Sequence, residues 1–470
     1  MIKTTDETIE ASIIIPVFNQ WKLTRQCLAT VAQTTVGENI EVIVIDNAST
    51  DETSEACPAL GEALFGGHFV YRRAEKNLNF GPASNLGARI ARGSTLIFLN
   101  NDTEALPGWF RPLLCDLNEL PNVAATGPVL LYPNDGPDVS GDDGRSVRPG
   151  PHNPFGRTVQ HIGVFISPFL KVGHIYEGIP EDSPLTKKRR FFQIITAACM
   201  AIRAHLFEQA GGFDERYING FEDVDLCTRL WSKGLHMTVN PQSRVVHHTS
   251  QTPGRFSHDA ENSQLARERV VPLFVPNLQS LAKNDSMQLN LSPWQILHPA
   301  LPPTAKARLE KFVDKASSHE ALRKILMRFA VDHPYWDEGL TKLRQQATTP
   351  DEQWAILEHT YRLFHAPEDA LTLHSIYRKA GNDAQAAHFL SKAETFAAPF
   401  ATYIKTARAS AEWCASIGLE DMAALYLDWL ARADNIWKNV HTPFMQRLRA
   451  AKCCDIALND ERGKGQTKNN

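Results

Sequence analysis

No stretch of this chain holds enough consecutive apolar residues to cross a bilayer, so the sequence predicts no integral membrane segment. The first residues, Met1 to Glu7, are polar and acidic. They contain no apolar run leading to a small-residue cleavage site, and a secretory signal is therefore not expected. An excess of charge of one sign is missing as well: 49 Lys and Arg against 53 Asp and Glu leave a net charge of -4. Basic residues are scattered, which excludes the electrostatic footprint that nucleic-acid binding requires. Cysteine is sparse, with eight in 470 residues and without the close spacings of a zinc site or a small disulfide scaffold. Reduced, mostly buried thiols and a cytoplasmic location follow as expectations. The one dense basic run, Lys187 to Arg190, reads as a solvated loop; the other reading is peripheral contact with an anionic acceptor or the inner face of a membrane.

What is present is the composition of a soluble globular chain, 43% hydrophobic and 22% charged, long enough for two or three domains. From Ser12 to about Gly127, short β-branched runs alternate with amphipathic stretches, the pattern of strands and helices around a parallel sheet. Strands are predicted over Ser12–Phe18, Glu41–Ile45, Phe69–Arg72 and Thr95–Leu99, with helices starting near Trp21, Asp51 and Pro82. Residues 132–158 crowd Pro, Gly, Asp and Asn together and read as a long loop, a lid or acceptor-facing flap. Regular structure is expected to resume with a strand over Gln193–Ile202, a short helix over Ala204–Ala210, and a helix over Glu222–Lys233 closed by Gly234.

A proline-rich stretch near Leu291–Thr304 suggests the boundary. The expected domains are a tail over 1–10, an α/β domain over 11–290, a linker over 291–305, a helical domain over 306–460 and a disordered tail over 461–470. In the helical part, segments 376–387 and 413–424 echo each other, each with a helix closing at a glycine and another opening after an acidic residue. That is the mark of helical hairpins, loosely tetratricopeptide-like.

In an open α/β sheet, ligands bind beyond the carboxyl ends of the strands. Here the residues after the strands are polar: Asn19; Asp46, Asn47 and Asp51; Asn100, Asn101 and Asp102. Asp46 suits hydrogen bonds from a nucleobase edge or a ribose, whereas Asp51 alone reads as a helix cap. Segment 76–87 puts glycine, proline and amides at a helix start, where free backbone N–H groups suit a nucleotide or phosphate. Asp102 can give a hard oxygen to a divalent ion that also grips a diphosphate. Glu222, Asp223 and Asp225 open a helix, where the dipole alone would favour them. Asp225 and Arg229, one turn apart, read as a structural pair.

Taken in order, SIIIPVFN, VIDNASTD, NLNFGPASNLG, FLNND, the segment from Thr196 to Gly234, and VVHHTSQT resemble the family 2 glycosyltransferases over about residues 12–252. The resemblance implies a GT-A fold, the Rossmann-like architecture of nucleotide-diphospho-sugar transferases, and an inverting transfer from a UDP- or dTDP-sugar. By position it implies that Pro16, Phe18, Asn19, Asp46, Asn47, Asn79, Asn85, Asn101 and Asp102 line the nucleotide-sugar pocket. Asp102 and His247, with His248 as the other candidate, would bind Mg2+ or Mn2+. Asp223 would be the catalytic base, with Glu222 second, and Asp214, His161 and His174 would lie on the acceptor side. The chain departs from the family at Asn100-Asn101-Asp102, where relatives often carry two acids, which implies a weaker hold on metal. The implied acceptor is a glycan, a lipid-linked glycan or a protein, and the helical part would serve acceptor docking, self-association or a protein partner.

Two rivals are weighed. A sugar nucleotidyltransferase would carry a glycine-rich basic loop after the first strand, and Pro16 to Gln20 contains no glycine. A non-catalytic nucleotide-sugar-binding scaffold acting through its helices would have little use for Asp223, Asp102 and His247 together.

Overall fold

The computed structural model describes residues 9–133, 153–169, 171–248 and 258–453, and most of the loop expected over 132–158 lies outside them. The chain divides into two compact units. One holds residues up to 133 and 157–278; the other holds 153–156 and the residues from 279 onward.

The first unit is built on β1 (Ala11–Val17), α1 (Trp21–Thr34), β2 (Ile40–Asp46), α2 (Thr53–Phe65), β3 (Phe69–Arg73), α3 (Phe80–Ile90) and β4 (Thr95–Leu99), close to the sequence expectation. It continues through β5 (Thr103–Ala105), α4 (Phe110–Glu119), β6 (Val123–Leu131), β7 (Val159–His161), β8 (Val164–Ile166), β9 (Val172–His174), β10 (Arg190–Phe192), β11 (Cys199–Arg203), α5 (Ala204–Gln209), α6 (Glu222–Trp231), β12 (His236–His247) and α7 (Asp259–Arg269). The main sheet runs β10-β12-β6-β11-β4-β1-β2-β3, with β5 added to β12 and β7 to β6. Strands β1 to β4 pair in parallel, whereas β11 runs antiparallel between β4 and β6. The sheet is mixed.

The run Ser-Ile-Ile-Ile-Pro-Val is continuous rather than alternating because both faces of β1 are covered, and each of its residues is buried. Ile13 and Ile15 join Val42, Val44, Trp109 and Leu113 in the core on one face. On the other, Phe98, Phe207 and Phe213 pack with ring centroids 4.9, 4.9 and 5.2 Å apart. Helix α3 lies so close to the sheet that a Cβ at Gly87 would stand 2.4 Å from Ile14 Cγ2. That approach holds the amino end of α3, with Asn79 before it, over the carboxyl edge of β1 and β2.

The strand expected over Gln193–Ile202 begins only at Cys199. Residues before it leave the ladder, and the N–H of Ala197 goes to the Asp223 carboxylate instead of a neighbouring strand. This departure from the sheet helps to build the site.

In the second unit, the stretch expected as a linker is a hairpin of β13 (Gln288–Leu291) and β14 (Leu297–Ala300). Its turn is tied down by side chains: Trp294 is buried and donates from Nε1 to Glu368 at 2.8 Å, and Trp429 donates to the Pro293 carbonyl at 3.0 Å. Prolines here shape a packed turn. The echoing segments fall on helix pairs, 367–379 with 383–394 and 400–416 with 420–431. Gly381 and Gly418 close the first member of each pair at φ of 77° and 76°, where side chains are strained. No helix among the described residues is long and apolar enough to cross a membrane.

Candidate active site

A cleft of about 210 Å³ opens where β1, β2 and β4 end, faced by the segment before α6 and by the end of β12. Of the residues expected there, Pro16, Phe18, Asn47, Asn79, Asn101, Asp102, His174, Glu222, Asp223 and His247 line it. Asn19, Asp46, Asn85, His161, Asp214 and His248 do not. The lining is dominated by amides, adding Gln20, Asn77, Asn100, Gln160 and Asn219. Amides both donate and accept, which suits a ligand rich in hydroxyls. The described lining residues include three carboxylates and neither Lys nor Arg, a charge balance that a bound cation would offset for a diphosphate.

Strand pairing creates the corner where such a cation fits. Antiparallel pairing of β5 with β12 sets His247 opposite Thr103, beside Asp102 and 145 positions further along the chain. His247 Nε2 stands 3.1 Å from Asp102 Oδ1. On its other side, Nδ1 lies 2.8 Å from Oε1 of the buried Gln160. An amide oxygen can only accept, so Nδ1 carries a proton, and in the neutral ring the Nε2 lone pair faces the Asn100 amide at 3.3 Å as well as the carboxylate. A lone pair and a carboxylate oxygen about 3 Å apart are spaced like adjacent ligands on one ion with bonds near 2.1 Å. Among the described residues no cluster of three or more His, Cys, Asp or Glu could hold a metal alone, so this pair would supply two ligands to a divalent ion and leave the rest to the substrate and water.

His248 is not part of this corner. Strand alternation turns it to the opposite side from His247, where its Nε2 meets Glu104 at 2.5 Å. That contact is the leading reason the Glu104 carboxyl is held below its usual range.

The other two carboxylates come from the start of α6. Phe221 adopts a left-handed conformation, φ 71°, turning the chain so that Glu222 and Asp223 face the cleft. Asp223 is fixed by two backbone donors, Ala197 N–H to Oδ2 at 3.0 Å and Val224 N–H to Oδ1 at 2.8 Å. Asn219, also left-handed at φ 50°, ties this entry to α3: its Oδ1 accepts from Phe80 N–H at 3.0 Å and its amide donates to Asn79 at 3.3 Å. The Asn-Gly pair at 219–220 is a turn signal that could have identified it.

The expected residues that do not line the cleft are each held by another partner. Asp46 is fully enclosed, and its carboxylate accepts from Tyr71 Oη and Arg73, each at 2.6 Å, and from Ser49 N–H at 2.8 Å. The neighbouring Asn47 lines the cleft in its place. Asn19 accepts from Thr50 N–H at 2.7 Å and so shapes the loop after β2. Asn85 is a staple between α3 and the 213–215 segment, exchanging both backbone bonds with Phe213 at 2.9 Å. Asp214 forms a turn with Arg216, bonding its backbone N–H at 3.1 Å and its guanidinium at 2.6 and 2.9 Å, on the far side of that staple. His161 is buried behind the cleft wall, 2.8 Å from His174 Nδ1. Asp51 and Asp225 are structural as expected. Asp51 accepts from Thr53 N–H at the start of α2, and Asp225 pairs with Arg229 at 2.6 Å.

Residues 12–166 match the family described as Glycosyl transferase family 2. The matched stretch lies mainly in the first unit and includes the strand ends that form the cleft. Over 249 residues the chain is 30% identical to the O-antigen biosynthesis protein RfbC of Myxococcus xanthus, covering 52% of this chain and 18% of that protein. It is 29% identical over 266 residues to the validoxylamine A glucosyltransferase of Streptomyces hygroscopicus subsp. limoneus, covering 54% of each. The chain thus spans 18% and 54% of these relatives' lengths. A solved structure of GalNAc-T7 with UDP, GalNAc and Mn2+ is 19% identical, with a TM-score of 0.40, over 52% of this chain and 44% of that one. Both Asn100 to Asp102 and, from the later segment, Thr196 to Ala198, Asn219, Glu222 and Asp223 line the cleft.

Proposed function

We propose that the first unit transfers a sugar, with inversion, from a UDP- or dTDP-sugar to a hydroxyl of a glycan, lipid-linked or protein acceptor. The observation that carries this reading is the convergence of Asp223, Asp102 and His247 on one cleft from three distant parts of the chain. In the proposed step, the Asp223 carboxylate takes the proton of the acceptor hydroxyl as its oxygen bonds to the anomeric carbon. The bond from that carbon to the diphosphate breaks, and its electron pair leaves on the phosphate oxygen. Asp102 and His247 would hold Mg2+ or Mn2+, which supplies charge neutralisation to the diphosphate. Asn47, Asn79 and Asn101 would hydrogen-bond the nucleotide and sugar, and Glu222 would shape the acid side of the pocket. The second unit is assigned to acceptor docking or self-association.

Release of nucleoside diphosphate from a panel of UDP- and dTDP-sugars, with Mn2+ or Mg2+, tests the reading. Slow donor hydrolysis that stops on chelation and falls sharply in Asp102→Ala is expected. Release that is absent with every donor, or indifferent to both chelator and substitution, would overturn it.

A further inference from the structure

Behind the cleft wall, the short strand β7 carries two neighbours that each hold a cleft histidine. Gln160 fixes His247, and His161 fixes His174 through a contact of 2.8 Å between the two Nδ1 atoms. One of those atoms donates and the other accepts. The direction follows from burial. His161 Nε2 is buried and has no hydrogen-bond partner among the described residues. A proton there would strand a donor in a dry interior, a costlier defect than leaving a lone pair unmet. His161 is also held uncharged, its ring pushed well below the usual histidine range by burial first, then by His174 and His247. Its single proton therefore sits on Nδ1 and is donated to His174. A ring that accepts at Nδ1 keeps its own proton on Nε2.

His174 forms part of the cleft wall together with Gln160 and His247, so its ring lies on the side of the cleft that holds the metal corner. We propose that His174 is a positioning residue for the donor's diphosphate, its Nε2–H set by His161 to hydrogen-bond a phosphate oxygen on which charge gathers as the nucleoside diphosphate leaves. This rests on the glycosyl-transfer reading. It moves His174 from the acceptor side, where the sequence alone put it, to the leaving-group side.

The two side chains of a carboxamide separate the possibilities. Glutamine can place an N–H near the position of Nε2, and asparagine can place one near Nδ1. His174→Phe is expected to lower kcat about ten- to a hundredfold, the size of a lost hydrogen bond to a charged oxygen, with the acceptor KM unchanged. The same variant should bind UDP with Mn2+ more weakly by calorimetry while binding uridine as before. His174→Gln should recover most of both losses. His161→Asn, which keeps the donor, should resemble the parent, and His161→Leu should lose part of what His174→Phe loses. In 15N-histidine spectra, Nε2 of His161 and Nδ1 of His174 should be unprotonated.

Wild-type kcat and UDP affinity in His174→Phe would overturn the proposal, as would a rise in acceptor KM alone. A protonated Nε2 on His161 would overturn the relay. If the unaltered chain neither binds UDP nor turns over any donor, it is the glycosyl-transfer reading that fails.

Discussion

Removing Gln160 tests whether the metal corner works as its geometry implies. Leucine matches glutamine in volume and keeps the strand filled, but it offers no acceptor. His247 Nδ1 then loses its partner at 2.8 Å, and the ring gains by moving its proton to Nε2, where Asp102 Oδ1 waits 3.1 Å away. The resulting hydrogen bond would occupy both atoms proposed to hold the ion, so metal binding would first have to reverse it. Loss of such an orienting partner lowers metal affinity by roughly 10- to 100-fold, about 1.4 to 2.7 kcal/mol. Free Mn2+ can be followed by its electron paramagnetic resonance signal while the protein is titrated in saturating UDP. Gln160→Leu should raise the Mn2+ Kd by that factor, and His248→Leu, which removes the neighbouring histidine paired with Glu104, should leave it within about twofold. An unchanged Kd in Gln160→Leu, beside a large rise in His247→Ala, would refute the orienting role. No change in either variant would refute the corner altogether.

Two further predictions concern stability. Arg216 holds the Asp214 carboxyl down at about 2, against the opposing effect of burial. A carboxyl depressed in the folded state stabilises above its unfolded pKa, near 4, and that contribution is lost as pH falls through about 2. Asp214→Asn should therefore be less stable than the parent at pH 7 in urea titrations, and the gap should close toward pH 2; a gap independent of pH would contradict the assignment. Gly87→Ala forces a methyl to within 2.4 Å of Ile14 Cγ2, and it should destabilise the first unit by about 1 to 3 kcal/mol. A melting temperature equal to the parent's would show that α3 does not sit as described.

Much of the site was readable because strand ends are readable. Apolar runs flanked by polar clusters located β1 to β4 within a residue or two, and the rule that ligands sit beyond their carboxyl ends pointed to Asn47, Asn101 and Asp102, which line the cleft. The rule locates a backbone, not a rotamer. Asp46 stands at the right strand end, but Tyr71 and Arg73 on the adjacent strand reach its carboxylate first. Asn85 and Asp214 likewise answer to partners far away in sequence or just beyond the turn. Only the β5–β12 register separates His247 from His248, and a sequence does not display which strands will pair. Strand β12 itself was hidden, since Asn240 and Pro241 interrupt its apolar pattern where the ladder with β6 slips register. Gln160 carried no signal beyond its place beside His161, because an orienting residue is defined by what it touches.

The central claim is that the Asp223 carboxylate removes the acceptor proton, and Asp223→Asn tests it with almost no change of shape. Transfer to acceptor and affinity for UDP with Mn2+ should be measured on the same preparation. The account predicts transfer lowered by roughly 10²- to 10⁴-fold, the usual worth of a positioned base, with UDP affinity retained. Transfer at the parental rate in this variant would contradict it.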